Sequence, residues 1–147
     1  REELTDGAGA MKKFKSAGPS DRARDWDRNW FGFWRAEDDE TVAPSVCDFI
    51  DPLWLPADRD RLIEYLTGSP AAVATAAGFT KCVLCAARSE IGCFQSDGTW
   101  LWPADLGHYV RSHGVVLPSR LVEHIRHSGY TPPTKLDVPI ENLPWPG

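Results

Sequence analysis

Four residues constrain this chain more than any others: Cys82 and Cys85, two residues apart in a tight pair, then His108 and His113. Zinc takes four nitrogen or sulfur donors in a tetrahedron, and a C-x2-C turn followed by a helix carrying two histidines supplies them. The spacing here is Cys82-x2-Cys85-x22-His108-x4-His113. The histidine separation falls within the usual range, whereas the central spacer exceeds the about 12 to 15 residues of short fingers, so a longer hairpin has to fill it. Residues five apart are separated by about 140° on an ideal helix, so the last turn must distort to bring both rings to one ion. Gly114, next in the chain, eases that distortion. The pattern predicts one zinc ion held by Cys82, Cys85, His108 and His113.

Other readings of these residues stay open. A C-x2-C pair also serves in redox proteins, but that reading wants a thioredoxin-like βαβ setting, which the sequence does not show. Rival ligands are Cys93 and the pair His124 and His127 in Val122-Glu-His-Ile-Arg-His127, three apart on a predicted helix. Cys47 lies in the apolar run Val46-Cys-Asp-Phe-Ile50 and is expected to be buried and inert. No apolar run of signal-peptide length opens the chain, so a cytoplasmic location with reduced thiols is expected. No stretch approaches the about 18 uninterrupted apolar residues of a membrane span.

Around the metal pattern the chain reads as one α+β domain. Met11 is the only methionine and a candidate natural start, with Arg1–Ala10 set aside from the fold. Residues 1–24 are expected to be disordered, 25–130 to form a single zinc-stabilised domain, and 131–147 a proline-rich tail. In Asp25-Trp-Asp-Arg-Asn-Trp-Phe-Gly-Phe-Trp34, Trp26, Trp30 and Trp34 are spaced four apart and share one face if the segment is helical. Such a stripe either docks on its own domain or binds a partner. Glu37-Asp-Asp-Glu40 reads as a solvated acidic linker ending at Pro44, and Asp51-Pro-Leu-Trp-Leu-Pro56 as extended. Asp58 is expected to cap a helix running through Leu66 with Gly68 as its stop, and residues 71–77 to form a short alanine-rich helix. Ser89–Gln95 and Thr99–Trp102 read as strands joined by Asp97-Gly98 in a two-residue type I′ turn. That register places Cys93, Trp100 and Trp102 on one face and Phe94 with Leu101 on the other. Pro103 is expected to begin a helix ending at His113, and Leu117-Pro118 a last helix from Ser119 to Ser128 with Leu121, Val122 and Ile125 inward. Knuckle, hairpin and helix in this order describe a ββα or treble-clef-like unit flanked by short helices.

Cys-x2-Cys, then Ser96-Asp-Gly-Thr-Trp-Leu-Trp-Pro-Ala-Asp-Leu-Gly-His-Tyr-Val110, then His113, Val115 and Leu117-Pro118, resembles a family of small uncharacterised bacterial proteins. Those carry a Cys-x2-Cys followed by a DG-W-WP, HYV and H-V-LP signature. The resemblance spans roughly residues 47–125, including Asp51-Pro-Leu-Trp54 and Pro56-x-Asp-Arg59. It implies the same four ligands and names no reaction. Ala86, where many of that family have Gly, and the extra Cys93 are departures.

Charge bears on partners. The net charge is −5, and residues 36–70 hold nine acids against Arg59 and Arg61. An acidic chain repels phosphate backbones, and its basic cluster Lys12, Lys13, Lys15, Arg22, Arg24 and Arg28 is diluted by Asp21, Asp25 and Asp27. A zinc-finger nucleic-acid binder remains an alternative, but the helix before His113 offers only Arg111 to DNA. A zinc-dependent hydrolase is the other alternative. It lacks an H-E-x-x-H or H-x-E…P-C-x-x-C signature, and Glu90, Asp97 and Asp105 are weak candidates for paired carboxylates. The expectation is a non-catalytic zinc-binding interaction protein, one form being an immunity or accessory protein that masks a basic partner. Its contact residues would be Trp26, Trp30, Trp34, Glu37, Asp38, Asp39 and Glu40.

Overall fold

The computed structural model describes residues 18–34, 43–74, 80–85, 88–89 and 93–146. The acidic run Glu37–Glu40, the lysine-rich start, Glu90 and residues 75–79 lie outside them. Helices α1 (Pro19–Asp25), α2 (Arg59–Gly68), α3 (Leu106–His113) and α4 (Ser119–His127) surround strands β1 (Ala71–Ala74), β2 (Thr80–Lys81), β3 (Arg88–Ser89), β4 (Cys93–Ser96) and β5 (Leu101–Pro103). The fold is α+β, with a three-stranded antiparallel sheet in the order β1-β4-β5 and a separate two-stranded ribbon, β2-β3. Among the described residues no helix is long and apolar enough to cross a membrane.

The α4 expectation holds: Leu121 and Ile125 are fully buried and Val122 nearly so, following the helical period. Helix α2 buries Leu62, Ile63, Tyr65 and Leu66. Asp58 sits at its N-cap position without a side-chain cap bond, because its carboxylate instead takes Arg126 at 2.8 Å and the Tyr130 hydroxyl at 2.7 Å. Those bonds hold the Asp58 carboxyl well down, at about 2, with the Arg126 hydrogen bond the largest cause.

Three local expectations are corrected. Residues 71–74 form strand β1 rather than the start of a helix, because pairing with β4 outweighs the modest helix preference of alanine. The 89–95 strand is divided between β3 and β4, which belong to different sheets. The β4–β5 connection is a four-residue loop, with Ser96 opposite Leu101 and Gln95 opposite Trp102. Asp97 makes the difference: one carboxylate oxygen accepts the Thr99 and Trp100 amides at 3.0 and 2.8 Å, a side-chain-held turn that displaces the type I′ hairpin. Gly98 still takes positive φ, at 94°. The register moves by two, so face membership survives, and Trp100 and Trp102 are buried as expected.

The aromatic arm is not a helical stripe. Helix α1 ends at Asp25, having taken up part of the segment expected to be disordered, and Gly32 has φ 95°. The chain lies instead along β5: Leu101 N–H donates to Asn29 O and Phe31 N–H to Leu101 O, both at 3.0 Å. Residues 51–54 turn rather than extend, with Trp54 N–H bonded to Asp51 O at 3.0 Å and Leu53 N–H to the Asp51 side chain.

The sheet separates two apolar clusters. One face meets Phe31, Leu62, Leu66, Trp102, Leu106 and Ile125, whereas the other gathers Trp30, Ala72, Leu101 and Leu143. The proline-rich stretch after 130 covers this second face, where Trp145 packs edge-on against Phe94 at 5.4 Å.

Candidate metal centre

The local sequence brings the four donors together from two elements. Strand β2 leads into Cys82, the chain bends through 83–85, and β3 pairs back antiparallel, Lys81 opposite Arg88. This is a knuckle, and its amides point inward: Leu84 N–H donates to Cys82 Sγ at 3.3 Å. Val83 N–H donates to the Tyr109 hydroxyl at 3.0 Å, so helix α3 holds the knuckle's backbone as well. Burial is the main cause that holds the Tyr109 hydroxyl above its ordinary pKa, and it stays a neutral phenol.

Helix α3 starts at Leu106 rather than Pro103, which remains in β5. Leu106, Tyr109 and Val110 face the core, leaving His108 and His113 half-buried towards the knuckle. The distortion required by the five-residue step is present at the helix end. Gly114 is left-handed at φ 70°, and the Gly114 and Val115 amides both return to Tyr109 O. A side chain at Gly114 would also meet the Pro52 backbone at 3.2 Å, where Asp51 N–H bonds to Gly114 O at 2.8 Å. The position therefore requires glycine twice, for conformation and for close approach.

The result is a close group of four donor atoms. Cys82 Sγ lies 3.4 Å from His113 Nε2, Cys85 Sγ lies 3.5 Å from His108 Nε2, and all four donor atoms fall within 4.8 Å of one another. Ideal bonds of about 2.3 Å to sulfur and about 2.0 Å to nitrogen set neighbouring S and N ligands about 3.5 Å apart. The two imidazole rings stand 5.1 Å apart with their planes at 79°, so both Nε2 atoms converge without stacking. Cys82 is buried, Cys85 exposed. Cys82, Cys85, His108 and His113 are thus close enough to hold one metal ion, and they are the only such cluster among the described residues.

The rival histidines lie elsewhere. His124 Nε2 meets Asp97 Oδ2 at 2.8 Å, and the same oxygen accepts the Tyr65 hydroxyl at 2.6 Å. The Asp97 side chain is only 1% exposed, so this carboxylate organises the loop from inside the core. His127 is exposed on α4, and Cys93 stands on β4 opposite Ala74. Cys47 is exposed, contrary to expectation, because the 3₁₀ turn Val46–Phe49 buries Val46 and Phe49 and turns the thiol outward. Among the expected partner residues, Trp30 is buried, while Trp26 and Trp34 are half-buried against Phe31 and Phe49. The described arginines of the basic cluster face acids, Arg22 with Asp48, Arg24 with Asp21 and Asp25, and Arg28 with Asp27.

Sequence reasoning passed over Tyr109 as a support of the site. Its signal was available: it adjoins His108 and falls on the same helical face as Leu106 and Val110. No protein-family model, curated protein or solved structure matches the chain.

Proposed function

We propose that this chain is a zinc-stabilised protein-interaction module in which the metal is structural. The observation that carries the reading is the convergence of two sulfur and two nitrogen donors within 4.8 Å. That donor set suits zinc, and four protein ligands complete its tetrahedron, leaving no position for a catalytic water. Cys82 and Cys85 would bind as thiolates, and His108 and His113 as neutral rings through Nε2. When bound, the ion supplies a cross-link between the knuckle and α3, and its binding energy becomes folding energy for that region.

The interaction half of the reading rests on charge. With a net charge of −5 and the run Glu37–Glu40, the chain suits a basic protein partner, as an immunity-like or accessory protein would. The tryptophans contribute less to such a surface than their spacing suggested, since Trp30 is buried and the indole N–H of Trp26 donates inward to Trp30 O at 2.8 Å.

Cobalt substitution tests the structural assignment. A four-coordinate spectrum unmoved by added azide is the expected result. An azide-dependent shift would reveal an open coordination position and convert the reading to a catalytic one.

A further inference from the structure

The surface beside the knuckle differs in character from the rest of the molecule. Among the described residues, Leu53 at 85%, Leu55 at 66%, Val83 at 60% and Leu84 at 36% exposure lie in the 50–55 segment and the knuckle, which share one groove through Leu55 and Leu84. Leu55 and Leu84 both line a groove of about 620 Å³, and Leu53 and Val83 lie close to them in the chain. Ile50, Pro52 and Trp54 continue the apolar wall. Concentrated exposure of this kind marks an interaction surface, whereas isolated exposed leucines do not.

The charge of the groove is opposite to that of the chain. Among the described residues its lining includes Arg59, Arg111 and His113, and no aspartate or glutamate. The two arginines differ in what they can offer. Arg59 donates to Val110 O and Arg111 O, both at 2.8 Å, and so satisfies the carbonyls at the end of α3. Arg111 is exposed and its guanidinium forms no ion pair among the described residues. An apolar floor with one free guanidinium at its edge selects an apolar segment that carries a carboxylate.

We infer that this groove docks an apolar, acidic peptide segment of a partner protein, with Leu55 and Leu84 taking its side chains and Arg111 its carboxylate. The inference deepens the interaction reading and rests on it, but assigns the contact to a face other than the acidic one. It also gives the metal a purpose at the surface. Val83 and Leu84 lie between the two cysteines, and His113 lies on the groove wall, so a closed metal centre fixes one side of the groove.

The test is selection of a displayed random-peptide library on the full zinc-loaded chain, followed by anisotropy titrations of the enriched peptides. Enriched peptides are expected to combine Leu, Ile, Phe or Trp with Asp or Glu. Leu55→Asp and Leu84→Asp should each weaken binding by about tenfold or more, as loss of a central apolar contact does. Arg111→Glu should weaken it by about fivefold and remove most of its salt dependence. These side chains are exposed, so an unchanged circular dichroism spectrum is expected, and Leu55→Asp lies outside the knuckle should Leu84→Asp disturb it. Chelation of zinc should abolish binding. Failure to enrich any peptide, enrichment of basic peptides, or affinities indifferent to Leu55→Asp would overturn the inference, as would a self-dimer dispersed by Leu55→Asp. A polylysine probe read in parallel separates the two levels. Polylysine binding without acidic-peptide binding rejects the groove and keeps the interaction reading, and binding of neither probe rejects both.

Discussion

The two antiparallel ribbons of this molecule are held by different means. Strands β4 and β5 pair over three positions, sit beside β1, and bury Trp102 between Tyr65 and Leu66 on helix α2, where the indole N–H donates to Leu66 O at 3.2 Å. Strands β2 and β3 pair over two positions, in a sheet of their own. A two-stranded ribbon is marginal in water without a packed face. The first ribbon is stabilised by apolar burial, which acts on every side chain of the face at once. Among the described residues, the second is tied to helix α3 by the Tyr109 hydroxyl, the Cys82–His113 contact and the Cys85–His108 contact. The buried Cys82 joins the main apolar cluster, so the knuckle is seated on the core at that point while Cys85 is exposed.

The largest effect should come from attacking the core ribbon. Trp102→Ala removes a fully buried indole and is expected to cost about 3–5 kcal/mol in global stability by denaturant titration. A loss below about 1 kcal/mol would show that the hairpin is not where the stability resides. Asp97→Ala comes next, at about 2–3 kcal/mol, since it strands the Trp100 amide and the Tyr65 hydroxyl without their acceptor. If its effect is instead confined to local hydrogen exchange at 97–100, the loop is an appendage and the contrast between the ribbons weakens.

Acid should act on the core side as well. The folded Asp58 carboxyl titrates at about 2, below its ordinary 3.8. Its contribution is therefore complete above about pH 4 and is lost as the pH falls towards 2. After allowance for solvent screening of the half-exposed Arg126, about 1 kcal/mol should disappear in that window and be missing in Asp58→Asn. A flat stability difference between the two proteins from pH 5 to pH 2 would remove Asp58 from the account. An effect of similar size is expected at the turn: Gly98→Val places a β-branched residue at φ 94°, at a cost of about 1 kcal/mol. The space there is ordinary, with Val138 Cγ2 at 3.7 Å from an added Cβ, so the cost is conformational and not steric.

What could be read from the sequence follows the same division. Helix α4 was legible because Pro118, Gly129 and a three-to-four-residue apolar repeat all agree. The Cys82, Cys85, His108 and His113 cluster was legible because metal-ligand chemistry admits few residue types and few spacings. What misled was competition that spacing cannot show. Tryptophans four apart fit a helix, but residues 29–31 found a better hydrogen-bond partner in Leu101. The alanine-rich residues 71–74 fit a helix too, and β4 offered an open edge. At Asp97 the carboxylate outbid the backbone for its own turn, moving the register by two while the alternation kept Trp102 inside. The groove was invisible for a simpler reason, since Leu55 and Leu84 are distant in sequence and share its lining only because α3 holds both the knuckle and the Pro52 turn.

Elemental analysis of the purified chain beside its ligand variants addresses the central claim most directly. One zinc per chain is expected, absent from Cys82→Ser and from His108→Ala, with hydrogen exchange accelerated at the Val83 and Leu84 amides in both variants and little changed in α4. Folded protein free of zinc with freely reactive Cys82 and Cys85, or full zinc retained in both variants, would contradict the account.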